Sequence, residues 1–329
     1  METQQPHENR KETDSLRLAG AAVAVLSLGA IAFFCAYSFA GFIYPAPSPA
    51  QTASVIETQE QPDPFASTTL IAKSAYVLDL TTGKDLYSQN ANAQLPLASL
   101  TKVALVLAVS GALQPDTLIA TPAKYDAPPG GGTARLPAGQ TWALSDVISF
   151  TLTASSDDGA DLLASSANDT IHQQFPQSPQ QNATVWRMNN IAQQLGLTNT
   201  YFLNDSGLDL STTQSGAYGS AHDMAILYGY AATTSPGTFG ATAQPQVTVR
   251  STTGTVATGV NTDTVLDKIP GIIMGKTGYT DLAGGNLAIV FTTGGHEVVA
   301  IVLGSTQDGR FTDMEQLIPA AQEAVQQGK

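Results

Sequence analysis

Ser99 and Lys102 stand three residues apart in the stretch Ala98-Ser99-Leu100-Thr101-Lys102. On a helix that spacing sets both side chains on one face, one turn apart. The apolar run Val103 to Val109 that follows reads as a buried helix, with Ser99 at or near its first turn. The unpaired N–H groups and the dipole of such a terminus favour negative charge developing on a serine oxygen. A lysine one turn on can take the hydroxyl proton without any histidine. Ser-x-x-Lys also arises by accident on surface helices, so the pair gains meaning only from partners elsewhere in the chain.

Two stretches offer partners. Ala154 to Leu163 (ASSDDGADLL) places small hydroxyls and carboxylates between apolar segments. Structurally it is a helix start, with Ser155 or Ser156 as N-cap and the acids favoured by the dipole. Functionally it is a second edge of a site, supplying a hydroxyl and a polar side chain. Lys276-Thr277-Gly278 precedes a strand hairpin, 177 residues after Ser99.

Composition removes several alternatives. Charged residues make up 12% of the 329, about half the usual ~25%, and the net charge is −13. No Lys/Arg cluster exists beyond the first seventeen residues, so a nucleic-acid partner has no basic footprint to bind. The lone cysteine, Cys35, can form no internal disulfide, and His7, His172, His222 and His296 are scattered as surface or loop residues. Nothing has metal-ligand spacing, and no metal or cofactor is expected. Pro128-Pro129-Gly130-Gly131-Gly132 lacks the Lys-Ser/Thr and the helix of a phosphate cradle and reads as a flexible loop.

The elements that must position these residues follow in order. Residues 1–17 form a polar tail carrying Arg10, Lys11 and Arg17. Residues 18–44 hold no charge; as a helix they extend ~40 Å, enough for a ~30 Å hydrocarbon core and longer than a secretory signal needs. With three basic residues before the span and the next at Lys73, the amino terminus is expected in the cytoplasm and the rest outside, on a single-pass membrane anchor. Residues 45–66 contain five prolines and read as a linker. The folded domain is expected over 67–329. Strands are predicted at Ala75–Leu80 and Asp85–Gln89, joined through Thr81–Lys84, and at Asn286–Thr292 and His296–Leu303, joined through Thr293–Gly295. Helices are predicted near Leu144–Leu152, Val185–Leu195, Ala221–Ala231 and Thr312–Gln327. Hairpin-paired strands around a block of helices argue for an α+β fold, an antiparallel sheet flanked by helices with a helical subdomain, rather than a doubly wound sheet.

The order Ser-x-x-Lys, Ser-x-Asp, Lys-Thr-Gly matches the set shared by penicillin-binding proteins and class A β-lactamases. The surrounding text is more specific: ASLTK, the MNxxAxxLG pattern of Met188 to Gly196, NDSGL, AHDMA, PGIIMGKTGYTDLAGG and VLGS…GRF. Over about residues 68–325 the chain closely resembles the low-molecular-mass D-alanyl-D-alanine carboxypeptidases of cell-wall metabolism. The resemblance implies a β-lactamase/transpeptidase-like fold. It implies peptidoglycan stem peptides ending in D-Ala-D-Ala as substrate and β-lactam antibiotics as covalent inhibitors. It makes Ser99 the nucleophile, Lys102 the proton acceptor and Ser155 the hydroxyl that passes a proton towards the leaving amine. Lys276, Thr277 and Gly278 line the substrate-binding sheet edge, the backbone N–H groups of Ser99 and Tyr279 form an oxyanion hole, and Arg310 helps hold the terminal carboxylate. Family members commonly carry a further β-rich domain and a carboxy-terminal anchor; here the anchoring task is expected at residues 18–44.

An ordinary lysine has a pKa of ~10.4, so the neutral base costs ~4.6 kcal/mol at pH 7. Desolvation, and a second lysine at 276, lower that cost. The family's second motif is Ser-x-Asn, and Asp157 stands at the asparagine position. A carboxylate beside Lys102 raises the lysine's pKa and works against its use as a base, unless the acid is itself protonated or pairs with Lys276. A β-lactamase needs a glutamate to activate the deacylating water, and no glutamate lies between Ser99 and Lys276. A DD-endopeptidase uses the same residues in a differently shaped cleft. A non-catalytic binder of wall peptide is the reading from another class, and penicillin labelling of Ser99 separates it from both peptidases.

Overall fold

The computed structural model describes residues 61–125 and 134–329. The tail, the apolar segment 18–44, linker residues 45–60 and the Pro128–Gly132 loop lie outside the described residues. Among the described residues no helix is long and apolar enough to cross a membrane. Phe65 is buried and its ring lies 5.0 Å from that of Tyr87, so the packed domain begins before the expected boundary at residue 67.

Five strands make the main sheet: β1 (Ser74–Asp79), β2 (Lys84–Gln89), β3 (Ile272–Thr280), β4 (Gly284–Thr293) and β5 (His296–Ser305). Their spatial order is β3-β4-β5-β1-β2, and every neighbouring pair is antiparallel. The two-residue side-chain period shows directly in the packing. Leu287, Ile289 and Phe291 of β4 share one face with Val298, Ala300 and Val302 of β5. Ala288, Val290, Val299, Ile301 and Leu303 point to the other. Both faces are covered, so these strands are apolar nearly throughout. Gly294 (φ 57°) and Gly295 (φ 83°) close the β4–β5 hairpin with two left-handed residues, the turn whose twist matches that of the strands.

The principal helices are α1 (Lys102–Ser110), α2 (Leu144–Thr153), α3 (Asp157–Gln174), α4 (Ala183–Gln194), α5 (Ala221–Thr234) and α6 (Gly309–Gln326). Helix α6 covers one sheet face through Met314, Leu317, Ile318 and Ala321. The other five gather on the opposite face. Helix α1 is their centre: seven of its nine residues are buried, and no side chain caps its amino end. At ~1.5–3 kcal/mol per large apolar side chain, burial rather than capping holds it in place.

Two features were not marked in the sequence. Lys276-Thr277-Gly278 lies inside β3, the edge strand of the sheet, which precedes the β4–β5 hairpin as expected but was not itself marked as a strand. A polar motif within an apolar strand breaks the alternation that would have announced it. A second hairpin, Gln246–Arg250 with Val256–Val260, packs on α2 and leads into the loop before β3.

Candidate active site

The Ser99 end of α1 is a 3₁₀ turn, Ala98–Thr101, with the α-helix beginning at Lys102. In 3₁₀ geometry residues i and i+3 eclipse one another, and the Lys102 Nζ lies 2.7 Å from Ser99 Oγ. Ala98 enters the turn at φ 49°. The Asn286 side-chain amide donates to the carbonyls of Pro96 and Leu97, both at 3.0 Å, and so ties the turn to β4. Close backbone approaches complete the mount. A Cβ on Gly278 would stand 2.9 Å from the Leu97 carbonyl oxygen and 3.3 Å from the Ser99 nitrogen. Gly207, at φ 81°, passes so near the Ala98 carbonyl that a Cβ would meet it at 1.9 Å. Lys102 itself is fully buried and donates to two more acceptors, Asp157 Oδ1 at 2.6 Å and the Ser206 carbonyl at 3.2 Å.

The break between α2 and α3 resolves the choice between Ser155 and Ser156. Ser156 is the N-cap: its Oγ accepts from the Gly159 N–H at 3.0 Å and donates to the Ala134 carbonyl at 2.7 Å. Ser155 is held at φ 56°, a conformation that costs a non-glycine residue roughly 1–3 kcal/mol and turns its side chain out of the helix frame. Its Oγ accepts from Lys276 Nζ at 2.7 Å. Lys276 is buried at the sheet edge and donates its other bond to the Thr277 carbonyl at 2.9 Å. The Thr277 hydroxyl pairs with that of Thr262 at 2.6 Å. Arg310, on the first turn of α6, donates from Nη1 to the Gly278 carbonyl at 2.8 Å, with its guanidinium 4.6 Å from the Phe311 ring centre.

Seven of the residues singled out in the sequence line one cleft of about 210 Å³: Ser99, Ser155, Asp157, Thr277, Gly278, Tyr279 and Arg310. Lys102 and Lys276 lie beneath its floor, each touching the serine above it. Tyr279 stands at the rim, 45% exposed. Among the described residues no histidine lines the cleft. A larger cavity of about 570 Å³, between the start of α2 and the end of α5, has no titratable side chain among the described residues that line it, so the chemistry belongs to the smaller one.

Burial sets the electrostatics. It pushes the Lys276 ammonium well below its usual range, with the charges of Lys102 and Arg310 adding and those of Asp157 and Asp263 opposing. Lys102 is also lowered by burial, against the opposing pull of Asp157 and Asp205. Asp157 therefore pairs with Lys102 and not with Lys276, which bonds Ser155 instead. Asp157 occupies the first turn of α3, directly over Lys102, so of the conditions the sequence left open, pairing with Lys276 is not the one the structure adopts. Asp205 is pushed up to about 6 by burial and by Asp161, with Lys102 drawing it back.

Several participants escaped the sequence reading. Asn286 carries a weak signal, as a polar residue heading an apolar strand. Thr262 and Asp263 sit in a loop with no periodicity, and Ser206 acts through its carbonyl, which no side-chain pattern reports.

A serine with a buried lysine at hydrogen-bond distance, a second hydroxyl held by a second lysine, and an antiparallel edge strand together form, on an α+β fold, an arrangement chemically able to support acyl transfer through a serine. The model of the D-alanyl-D-alanine carboxypeptidase family matches residues 57–307, and the chain belongs to that family. The D-alanyl-D-alanine carboxypeptidase DacF of Bacillus subtilis is 30% identical over 244 residues, 71% of this chain and 58% of the relative. DacB2 of Mycobacterium tuberculosis is 31% identical over 247 residues, 74% of this chain and 79% of the relative. This chain thus spans somewhat over half the length of the first relative and about four fifths of the second. Among solved structures, penicillin-binding protein D2 of Listeria monocytogenes, in its ampicillin-bound form, superposes with a TM-score of 0.64 at 29% identity, over 79% of this chain and 99% of that one.

Proposed function

We propose that this chain is a serine-type D-alanyl-D-alanine carboxypeptidase that removes the terminal D-alanine from peptidoglycan stem peptides. One observation carries the reading: a fully buried lysine with its Nζ 2.7 Å from the Ser99 hydroxyl. Ser99 Oγ attacks the carbonyl of the penultimate D-alanine while its proton passes to the neutral Lys102 amine. Burial is what makes that amine accessible near neutral pH. Ser155, hydrogen-bonded to Lys276, relays a proton to the leaving amine, and D-alanine departs. Water then cleaves the acyl ester and restores Ser99. The N–H groups of Ser99 and Tyr279 are the proposed oxyanion donors, each contributing ~3–4 kcal/mol if they act as such donors do elsewhere. Arg310 and Lys276 supply the positive field for the substrate's terminal carboxylate, and β-lactams would acylate Ser99 as substrate mimics.

Labelling with a fluorescent penicillin tests this directly. The native chain takes one label and Ser99→Ala takes none; a native chain without label refutes the acyl-enzyme. A second reading, a DD-endopeptidase cutting cross-links, draws on a Pseudomonas aeruginosa relative named D-alanyl-D-alanine endopeptidase, 28% identical over 246 residues. Release of D-alanine from a pentapeptide, against cleavage of cross-linked muropeptides, separates the two. Residues 18–44 are proposed as the single-pass anchor that holds the catalytic domain outside the cell. The uncharged length and the basic residues before it support this, and carbonate-resistant membrane association that is lost on deleting 1–44 tests it.

A further inference from the structure

Thr262 is a cleft residue that the acylation chemistry does not use. It lies in the loop between the Gln246–Val260 hairpin and β3, and it lines the cleft together with Thr277, Gly278 and Arg310. Its hydroxyl oxygen stands 2.6 Å from that of Thr277, and neither hydroxyl has another hydrogen-bond partner among the described residues. The loop is built to keep that contact. The Thr262 N–H donates at 3.3 Å to the carbonyl of Thr153, the last residue of α2 and two before Ser155. On one side, the Asn261 side-chain amide donates to the carbonyls of Thr242 and Gln244 at 2.7 and 2.9 Å, and its oxygen accepts the Asp263 N–H at 2.9 Å. On the other, Asp263 Oδ1 accepts the Val265 N–H at 3.0 Å. Threonine is branched at Cβ and has few rotamers, so a fixed backbone also fixes the oxygen.

Each hydroxyl carries one proton and can also accept, so a bonded pair uses one proton between its oxygens and has the other to give. The bridge can run in either direction. An ionised carboxylate only accepts. Once such a group faces Thr277, the favoured order is Thr262 to Thr277 and Thr277 to the carboxylate, with both protons in line. A hydroxyl that accepts a bond is polarised into a better donor, and a bond to a charged acceptor gains most from that. We propose that Thr262 is a positioning residue that donates to Thr277 Oγ1 and so commits the Thr277 proton to an anionic group in the cleft. Thr262 then sharpens the preference for carboxylate-ended ligands over neutral ones of the same shape. This inference rests on the proposed reading, in which the terminal carboxylate of a substrate or a β-lactam lies in this cleft.

The test uses the full-length chain and two probes, a penicillin with its free carboxylate and the methyl ester of the same penicillin. The second-order rate of acylation is measured with each. The native chain should react at least about tenfold faster with the free acid. Thr262→Val, which nearly keeps the shape, should lower the free-acid rate about three- to tenfold and leave the ester rate within about twofold. Thr262→Ser keeps the hydroxyl and should retain most of the native preference. In a Thr277→Val background, adding Thr262→Val should change neither rate by more than about twofold, because the chain of donors is already broken. Thr262→Ala keeps the backbone bond to Thr153, is expected to repeat the Thr262→Val result, and decides the matter if that variant fails to fold. Equal losses with both probes, no loss with the free acid, a further free-acid loss in the Thr277→Val background, or a native chain indifferent to esterification each overturn the inference. In all four cases labelling of the native chain still upholds the acyl-enzyme. A native chain that takes no label from either probe overturns both.

Discussion

Asp157→Asn isolates the electrostatic question at the centre of the site. The carboxylate oxygen lies 2.6 Å from Lys102 Nζ, with the two side chains 7% and 0% exposed. Coulomb's law at an effective dielectric near 20 gives an attraction of about 6 kcal/mol at that distance, an upper figure. Opposite charges at close range typically shift a pKa by ~1–3 units, or about 1.4–4 kcal/mol. Asparagine keeps an oxygen at the Oδ1 position, so the hydrogen bond survives and only the charge is lost. Lys102 then titrates lower, its neutral form is more abundant, and Ser99 acylates faster at neutral pH. Measured as the rate of penicillin acylation across pH, the acid limb should move down by ~1–3 units, with at least a threefold gain near pH 7. The stability change has a definite sign. Lowering the folded pKa of Lys102 further lets the folded variant shed its proton at a lower pH than the folded native chain, so the variant's stability deficit is greatest below both folded values and narrows as pH rises from the variant's folded value to the native one. An unmoved limb, or a loss above tenfold in a variant with native-like melting, would refute the reasoning and show that the Asp157 carboxylate itself handles a proton.

Three further outcomes follow from the geometry. Gly278→Ala places a methyl 2.9 Å from the Leu97 carbonyl and 3.3 Å from the Ser99 nitrogen, displacing β3 from the nucleophile turn; acylation should fall about 100-fold with a stability loss of ~1–3 kcal/mol, read by stopped-flow labelling and urea melts. Asn286→Ala removes two donors to the turn before Ser99 and the acceptor for the Gly304 N–H at 2.8 Å; destabilisation of about 2–4 kcal/mol is expected, with slower acylation, by the same two measurements. Burial alone would raise the pKa of Asp79, but bonds from Thr82 and Thr81 and the approach of His296 Nδ1 to 2.7 Å hold it below the usual value. Its contribution is therefore present above the unfolded carboxyl pKa and lost as pH falls through the folded one. Asp79→Asn should cost ~1.5–3 kcal/mol at pH 7, and almost nothing in melts at a pH below the folded value.

What the sequence determined by itself is local or nearly so. Ser99 and Lys102 need a single turn to meet, so their spacing was sufficient, and the antiparallel sheet was legible because β4 and β5 carry alternating faces around a Gly-Gly turn. The motif order then indicated the family. Tertiary structure decided the rest, because the deciding contacts join residues far apart in the chain. Lys276 finds Ser155 across 121 residues, and Lys102 finds Asp157 across 55. The sequence left Lys276 as a possible partner for Asp157, since a bare motif does not say which cation lies above which acid. Ser155 rather than Ser156 faces the cleft only because the α2–α3 break forces φ 56° on it while Ser156 is consumed by the cap. The depth at which both lysines are buried, which is what draws their pKa values down, is a property of the packed core and has no counterpart in a string of residues.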